Sequence, residues 1–216
     1  MKSFKNWLQL DEEYSNRVER KCVMLLGGPG AGKSYLGKQF ISHGYRKVQI
    51  DNFFLGMVRK ADDIPQGQPV QVSLQNPKHN DLFQQATRYS NNLMYNQIMV
   101  KGYPFITEKT GRNVWTVTKT KEACDKMGYD LYGILVQAPL EVALQRNKNR
   151  MDRQLQHDSE LAGEHEAISK NLSALQATFA PGHFFTVTND MSPENNQKIS
   201  TIIGQILSAP VKNNRI

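Results

Sequence analysis

The sequence predicts an α/β fold in three layers, a mostly parallel five-stranded sheet flanked by helices, and three features lead to that expectation. Five short apolar stretches, residues 21–26, 47–51, 104–108, 131–137 and 183–188, alternate with segments of helical period. Most of these stretches lack a polar alternation, which suits strands covered on both faces. Three of the joins between helix and strand carry the same Gly-Tyr pair. Parallel order with right-handed crossovers is the default for such an alternation.

Each Gly-Tyr pair, Gly44-Tyr45, Gly102-Tyr103 and Gly128-Tyr129, reads as a left-handed helix cap followed by a turn into a strand. The helices show their core stripes at i, i+3 and i+4 spacing. Phe83, Ala86, Leu93 and Met94 form one, Ile168, Leu172, Leu175 and Phe179 a second, and Ile199, Ile202, Ile203 and Ile206 a third. Residues 1–20, with Trp7, Leu8 and Leu10, read as an amphipathic N-terminal helical extension to a domain spanning 21–210. Residues 61–81 hold three of the nine prolines and little periodicity, so they are expected to be a loop.

The chain has 216 residues, 39% of them hydrophobic and 22% charged, enough apolar material for one compact domain. Its longest apolar runs fall far short of the roughly 20 residues that span a bilayer, so a cytoplasmic protein with no membrane contact is expected. Cys22 and Cys124 have no ligand-like neighbours in sequence and read as reduced thiols. Lys and Arg together number 27 against 20 Asp and Glu, a formal charge of +7 that favours either solubility or a polyanionic partner.

The chemistry begins directly after the first stretch. Gly27-Gly28-Pro29-Gly30-Ala31-Gly32-Lys33-Ser34 fits G-x-x-x-x-G-K-[ST] at every fixed position and opens into a helix over 35–42. Such a P-loop lets backbone N–H groups and a helix N-terminus face an anion. Gly28, Gly30, Ala31, Gly32, Lys33, Ser34 and Tyr35 are therefore assigned to the phosphates of ATP, with GTP as the alternative. Lys33 would reach the β- and γ-phosphates, and Ser34 would ligate Mg²⁺. There is neither an Asn-Lys-x-Asp box nor an apolar run ending in Asp-Glu, which argues for a kinase over a switch or motor protein.

A kinase needs groups for the acceptor as well. Asp51, read as the end of the second strand, is assigned to orient or deprotonate the acceptor hydroxyl; the structural alternative is a helix cap. Glu108 ends the third strand and leads into Lys109-Thr110-Gly111-Arg112, so Glu108, Thr110 and Arg112 are assigned to the substrate. A buried Glu108–Arg112 ion pair is the competing explanation. Arg146, Arg150 and Arg153 share a face of a helix expected over 140–155, in a lid-like segment around 145–165. Arg146 and Arg150 are the pair assigned to the transferring phosphate, and a solvated basic face is the plainer reading. Thr188-Asn189-Asp190 follows the last strand and is placed toward the nucleotide base.

These residues resemble the zeta-toxin family of P-loop kinases and their phage-borne relatives, in the wider group that includes polynucleotide kinase. The resemblance rests on Gly27 to Ser34, on Val48-Gln49-Ile50-Asp51-Asn52, and on Arg88-Tyr89-Ser90-Asn91-Asn92-Leu93-Met94 leading to Lys101-Gly102-Tyr103-Pro104-Phe105-Ile106-Thr107-Glu108-Lys109-Thr110-Gly111-Arg112. It continues through Gly128-Tyr129, Arg146 and Ile168-Ser169-Lys170-Asn171-Leu172 and departs at Lys109, where glycine is usual. It implies an ATP-dependent transfer to a hydroxyl, with Asp51 as the catalytic carboxylate, Lys33 as the phosphate lysine, and Glu108, Thr110 and Arg112 on the substrate side. Zeta toxins phosphorylate a UDP-linked amino sugar and are restrained by a small helical antitoxin. The resemblance therefore implies a nucleotide-sugar or nucleotide-like acceptor, an antitoxin-like protein partner, and action in the cytoplasm, that of a host if the chain is phage-encoded. Two other expectations stay open: a kinase acting on a nucleic-acid acceptor, at a polynucleotide end or a modified base, and a nucleotide-binding hydrolase or regulatory module.

Overall fold

The computed structural model describes residues 18–149, 158–190 and 192–211. Five parallel strands make one sheet: β1 Lys21–Leu26, β2 Arg46–Val48, β3 Phe105–Lys109, β4 Asp130–Gln137 and β5 Phe184–Thr188. Their spatial order is β2-β3-β1-β4-β5. The chain leaves central β1 for one edge, returns beside it as β3, and then builds outward on the other side. The loop after β1 thus lies where the connections diverge, the crevice at which open α/β sheets bind ligands.

Among the described residues the helices are α1 Lys33–Ser42, α2 Ile50–Ala61, α3 Pro77–Asn92, α4 Val114–Lys126, α5 Leu140–Lys148, α6 Asp158–Thr178 and α7 Pro193–Ser208, with a π-helical stretch, Leu93–Met99, continuing α3. They cover both faces of the sheet, as expected. All six residues of β1 are buried because their alternation feeds two cores. Cys22, Met24 and Leu26 pack with Met94, Ile98, Val117, Cys124, Ile168 and Leu175. Val23 and Leu25 face Leu36 and Phe40 of α1 and the four isoleucines of α7. Full burial of one such side chain contributes about 1.5–3 kcal/mol, so each face of β1 anchors its layer.

All five expected strands form, and the three Gly-Tyr joins are one motif. In each, the tyrosine N–H reaches back to the carbonyl five residues earlier and the glycine N–H to the carbonyl three residues earlier. Gly44, Gly102 and Gly128 have φ of 85°, 71° and 68°, the left-handed cap that this double bond requires.

Three expectations are corrected. The second strand stops at Val48, and Asp51 lies in the first turn of α2 instead of at a strand end. Ile50, Phe54 and Val58 recur at helical spacing and pack together, and that burial outweighs the extended reading. Residues 61–81 are not one loop, because α3 begins at Pro77 with the Asn76 side chain accepting from Lys78 N at 2.9 Å. Proline at the first helical position after an asparagine cap starts a helix. The stripe Phe83, Ala86, Leu93 and Met94 is also divided. Phe83 and Ala86 pack on Phe54 and Val58 of α2, whereas Leu93 and Met94 join the sheet core, since the π-helical turn rotates the buried face at Leu93.

The proposed N-terminal helix lies outside the described residues over 1–17, as do Arg150, Arg153 and the rest of 150–157 in the lid-like segment. The helix expected over 140–155 is described as far as Lys148. Cys22 and Cys124 are free and buried, and burial first, then a hydrogen bond with Cys124, pushes the Cys22 thiol well above its ordinary range. No helix among the described residues is long and apolar enough to cross a membrane.

Candidate active site

The loop Gly27 to Ser34 leaves β1 pinned on every side. Gly27 N–H donates to Thr110 C=O at 3.1 Å, extending the β1–β3 pairing past the strand ends. Gly30 has φ 74°, and a Cβ there would lie 2.5 Å from Ala143 O and 2.9 Å from Ala143 Cα, so the turn docks on α5 only without a side chain. Arg146 Nη1 donates to Gly30 O at 3.2 Å, and Asn189 Nδ2 donates to Ala31 O at 3.0 Å. Gly32, with φ 96°, caps α1 with no side-chain hydrogen bond, so the first N–H groups of the helix face the loop.

Lys33 Nζ donates to Gly27 O at 2.6 Å and to Gly28 O at 3.0 Å. The ammonium therefore sits at the rim of the loop, where a phosphate oxygen can replace a carbonyl. Ser34 and Tyr35 are exposed on the first turn of α1. The seven residues assigned to nucleotide binding are thus gathered on one rigid turn of backbone donors and one cation, which suits a polyphosphate tail. Among the described residues no three His, Cys, Asp or Glu side chains cluster as a metal cage. A Mg²⁺ held by Ser34, phosphate oxygens and water needs none.

On the other side of β1, Glu108 pairs in register with Leu25 and turns toward α1, its Oε1 3.8 Å from where a Cβ on Gly37 would sit. Its carboxylate is 7% exposed; Lys47 Nζ lies 2.9 Å from Oε1 and Gln49 Nε2 donates to Oε2 at 3.3 Å. The competing explanation, a Glu108–Arg112 ion pair, does not form among the described residues: Glu108 pairs with Lys47 instead. The chain turns at Gly111 after β3 and carries Arg112 toward α6, where Nη1 is 3.9 Å from Glu164 Oε1. Thr110 Oγ1 accepts from Arg112 N at 3.3 Å, and Asn171 of α6 donates to the carbonyl of Arg112 at 2.7 Å. Lys109, between them, lies on the opposite face of β3, and burial lowers its ammonium below the ordinary range. Asp51 follows Gln49 by two residues, so the carboxylate-bearing turn of α2 and the strand holding Glu108 are tied by one hydrogen bond.

Several residues at this site receive no role from the sequence. Gln49 and Asn171 lie in segments that carry the family resemblance without being assigned, and Lys47, Glu164 and His165 stand outside every motif; their contacts in the fold reveal all five. His165 stands over the loop, its Cδ2 and Nε2 3.2 and 3.3 Å from where a Cβ on Gly28 would lie. Burial lowers the pKa of this imidazole, Glu164 opposes the shift and Lys33 adds to it. After β5, Asn189 reaches the loop but Asp190 does not. Its carboxylate accepts from Asn195 and Ser192, which hold it down at about 2.

Residues 22–181 match the family described as AAA domain. No curated protein matches the sequence. Among solved structures, the chain is similar to a chain of the PezAT chromosomal toxin–antitoxin system of Streptococcus pneumoniae, with 16% identity and a TM-score of 0.60 over 95% of this chain and 94% of that one. It is similar to a gluconokinase from Sinorhizobium meliloti at 13% identity and TM-score 0.50, over 88% of this chain and 91% of that one. It is similar too to the AvrRxo1-ORF1:ORF2 complex with ATP, at 13% identity and TM-score 0.61, over 92% of this chain and 70% of that one. At such identities the likeness is one of fold, and at that level the resemblance to zeta-toxin-like P-loop kinases holds.

Proposed function

The chain belongs to the AAA-domain family, and from that premise we propose that it is a kinase, moving the terminal phosphoryl group of ATP to a hydroxyl of a small nucleotide-sugar or nucleotide-like acceptor. The observation that carries this reading is the Gln49–Glu108 hydrogen bond, which ties the strand beside the P-loop to the turn bearing Asp51. A phosphate grip and a carboxylate on coupled elements are what an in-line transfer requires.

In this reading Asp51 orients the acceptor hydroxyl and takes its proton as the new O–P bond forms and the bond from phosphorus to the ADP oxygen breaks. A positioned base of this kind contributes about 10²–10⁴-fold. Lys33 and the loop N–H groups hold the charge that gathers on the phosphate oxygens. Magnesium, when bound at Ser34, neutralises part of that charge. Arg146, fixed on Gly30, supplies a guanidinium to the nucleotide; Arg150, outside the described residues, is assigned to the same phosphate from its sequence position alone. Glu108 is held for a metal-bound water or an acceptor hydroxyl, with Thr110 and Arg112 beside it for the rest of the acceptor. GTP can use the same phosphate contacts. The need for nucleoside triphosphate puts the reaction in the cytoplasm, and the likeness to a chain of a toxin–antitoxin system supports an antitoxin-like protein partner.

The +7 charge favours a second reading, transfer to a nucleic-acid acceptor. Incubation with γ-labelled ATP and separate pools of nucleotide sugars, nucleosides and oligonucleotides decides between them. Label is expected in the nucleotide-sugar pool. Label on oligonucleotides, falling steeply with salt, would favour the second reading. Free phosphate released at full rate without any acceptor would make the protein a hydrolase.

A further inference from the structure

We propose that His165 is a phosphate-binding residue, closing the P-loop from the α6 side by donating an Nε2–H hydrogen bond to a terminal phosphate oxygen of the bound nucleotide. This rests on the reading of the loop as a polyphosphate site and not on transfer to any acceptor.

The position of the ring comes first. Its Nε2 lies 3.3 Å from where a Cβ on Gly28 would sit, and Lys33 Nζ is 3.0 Å from Gly28 O, so both groups converge on one residue of the loop. Arg146 and Asn189 hold the other half, Gly30 and Ala31. Lys33 marks the end of the loop where the outer phosphates lie. His165 is therefore on the same side as the terminal phosphates, across from the groups nearer the rest of the nucleotide.

The state of the ring comes second. Nε2 is buried and makes no hydrogen bond among the described residues. A buried ring nitrogen left unpaired is unfavourable whichever tautomer the ring holds, and such a group calls for an explanation, which an arriving phosphate supplies. Ile168, one turn further along α6, also packs near Gly28, its Cδ1 3.7 Å from the same point, so an apolar side chain flanks the ring on the loop side. The charged groups facing the ring are Glu164 on its own helix and Lys33 from α1, and Glu164 is shared with Arg112 of the loop after β3. Burial first and then Lys33 disfavour the charged ring, against the pull of Glu164. Phosphate oxygens beside Nε2 reverse that balance, because an adjacent anion stabilises imidazolium. Nucleotide binding then takes up a proton, and affinity strengthens as pH falls through the ring's bound-state pKa.

The test follows the His165 ring by ¹⁵N NMR across pH, with and without saturating tripolyphosphate or a non-hydrolysable ATP analogue. On saturation the ring's pKa is expected to rise by about one unit or more. His165→Phe should weaken binding of either probe about tenfold, and His165→Gln, which keeps a donor, should recover most of it. Comparing the pH slopes of wild type and His165→Gln removes the titration of the phosphate itself. A ring unmoved by saturation, or a His165→Phe variant that binds like wild type, overturns the proposal. Wild type that binds neither probe overturns the loop reading and this proposal together. Wild type that binds both but phosphorylates no acceptor overturns only the kinase reading.

Discussion

Gln49 donates to the Glu108 carboxylate at 3.3 Å across the β2–β3 edge, while Lys47 approaches the same carboxylate from two residues earlier. Glu108 lies against α1 on one side and is bonded to Gln49, which precedes α2, on the other, so the turn bearing Asp51 and the helix that follows the P-loop share one carboxylate as neighbour.

Lys47→Met should leave Glu108 as a buried charge with one neutral donor. Losing one partner of such a pair costs about 3 kcal/mol. Urea denaturation is expected to show that loss, and Lys47→Met/Glu108→Gln should recover part of it, because the two changes share one interaction. Fully additive losses would mean that the ion pair contributes nothing.

Gly30→Ala should damage the loop far more than an equal change elsewhere. Its Cβ would meet Ala143 O at 2.5 Å, whereas Gly67, also in the left-handed region at φ 90°, has nothing within 4 Å of its added Cβ. Gly67→Ala is expected to show only the backbone penalty of about 1–2 kcal/mol. Gly30→Ala should add to that a loss of nucleotide affinity of about tenfold or more, measured by calorimetry. Equal behaviour of the two variants would show that α5 does not brace the loop.

The α2–α3 hairpin should lose stability in acid. Lys78 first and then His79 hold the Asp62 carboxyl below its ordinary range, with contacts of 2.6 and 2.9 Å. The folded pKa therefore lies under the unfolded one. The contribution is complete above the ordinary carboxylate value of about 4 and disappears as pH falls through the folded value. Asp62→Asn should melt below wild type at pH 7, and that gap should close on acidification below 4. A gap that stays constant with pH would remove the assignment.

Much of this architecture is readable because buried parallel strands appear as unbroken apolar runs and because the same Gly-Tyr cap recurs before β2, β3 and β4. The P-loop is local, eight consecutive residues, and so is fully visible. What is hidden depends on contacts distant in sequence. Asp51 looks like a strand end until Ile50, Phe54 and Val58 are seen packing on α3. Pro77 reads as loop punctuation although, after Asn76, it starts a helix. The partner of Arg112 is Glu164, 52 positions later, and no spacing rule selects it over Glu108. His165 is a lone histidine in a polar helix, and only the docking of α6 over Gly28 gives it a role.

The most direct test pairs two variants, Lys33→Ala and Asp51→Asn, assayed for nucleotide binding by calorimetry and for transfer of label from γ-labelled ATP to the acceptor pool that wild type uses. Both should lose transfer, but only Lys33→Ala should lose affinity for ATP, because Asp51 acts on the acceptor and not on the phosphate grip. Transfer at the full wild-type rate by Asp51→Asn would contradict the account.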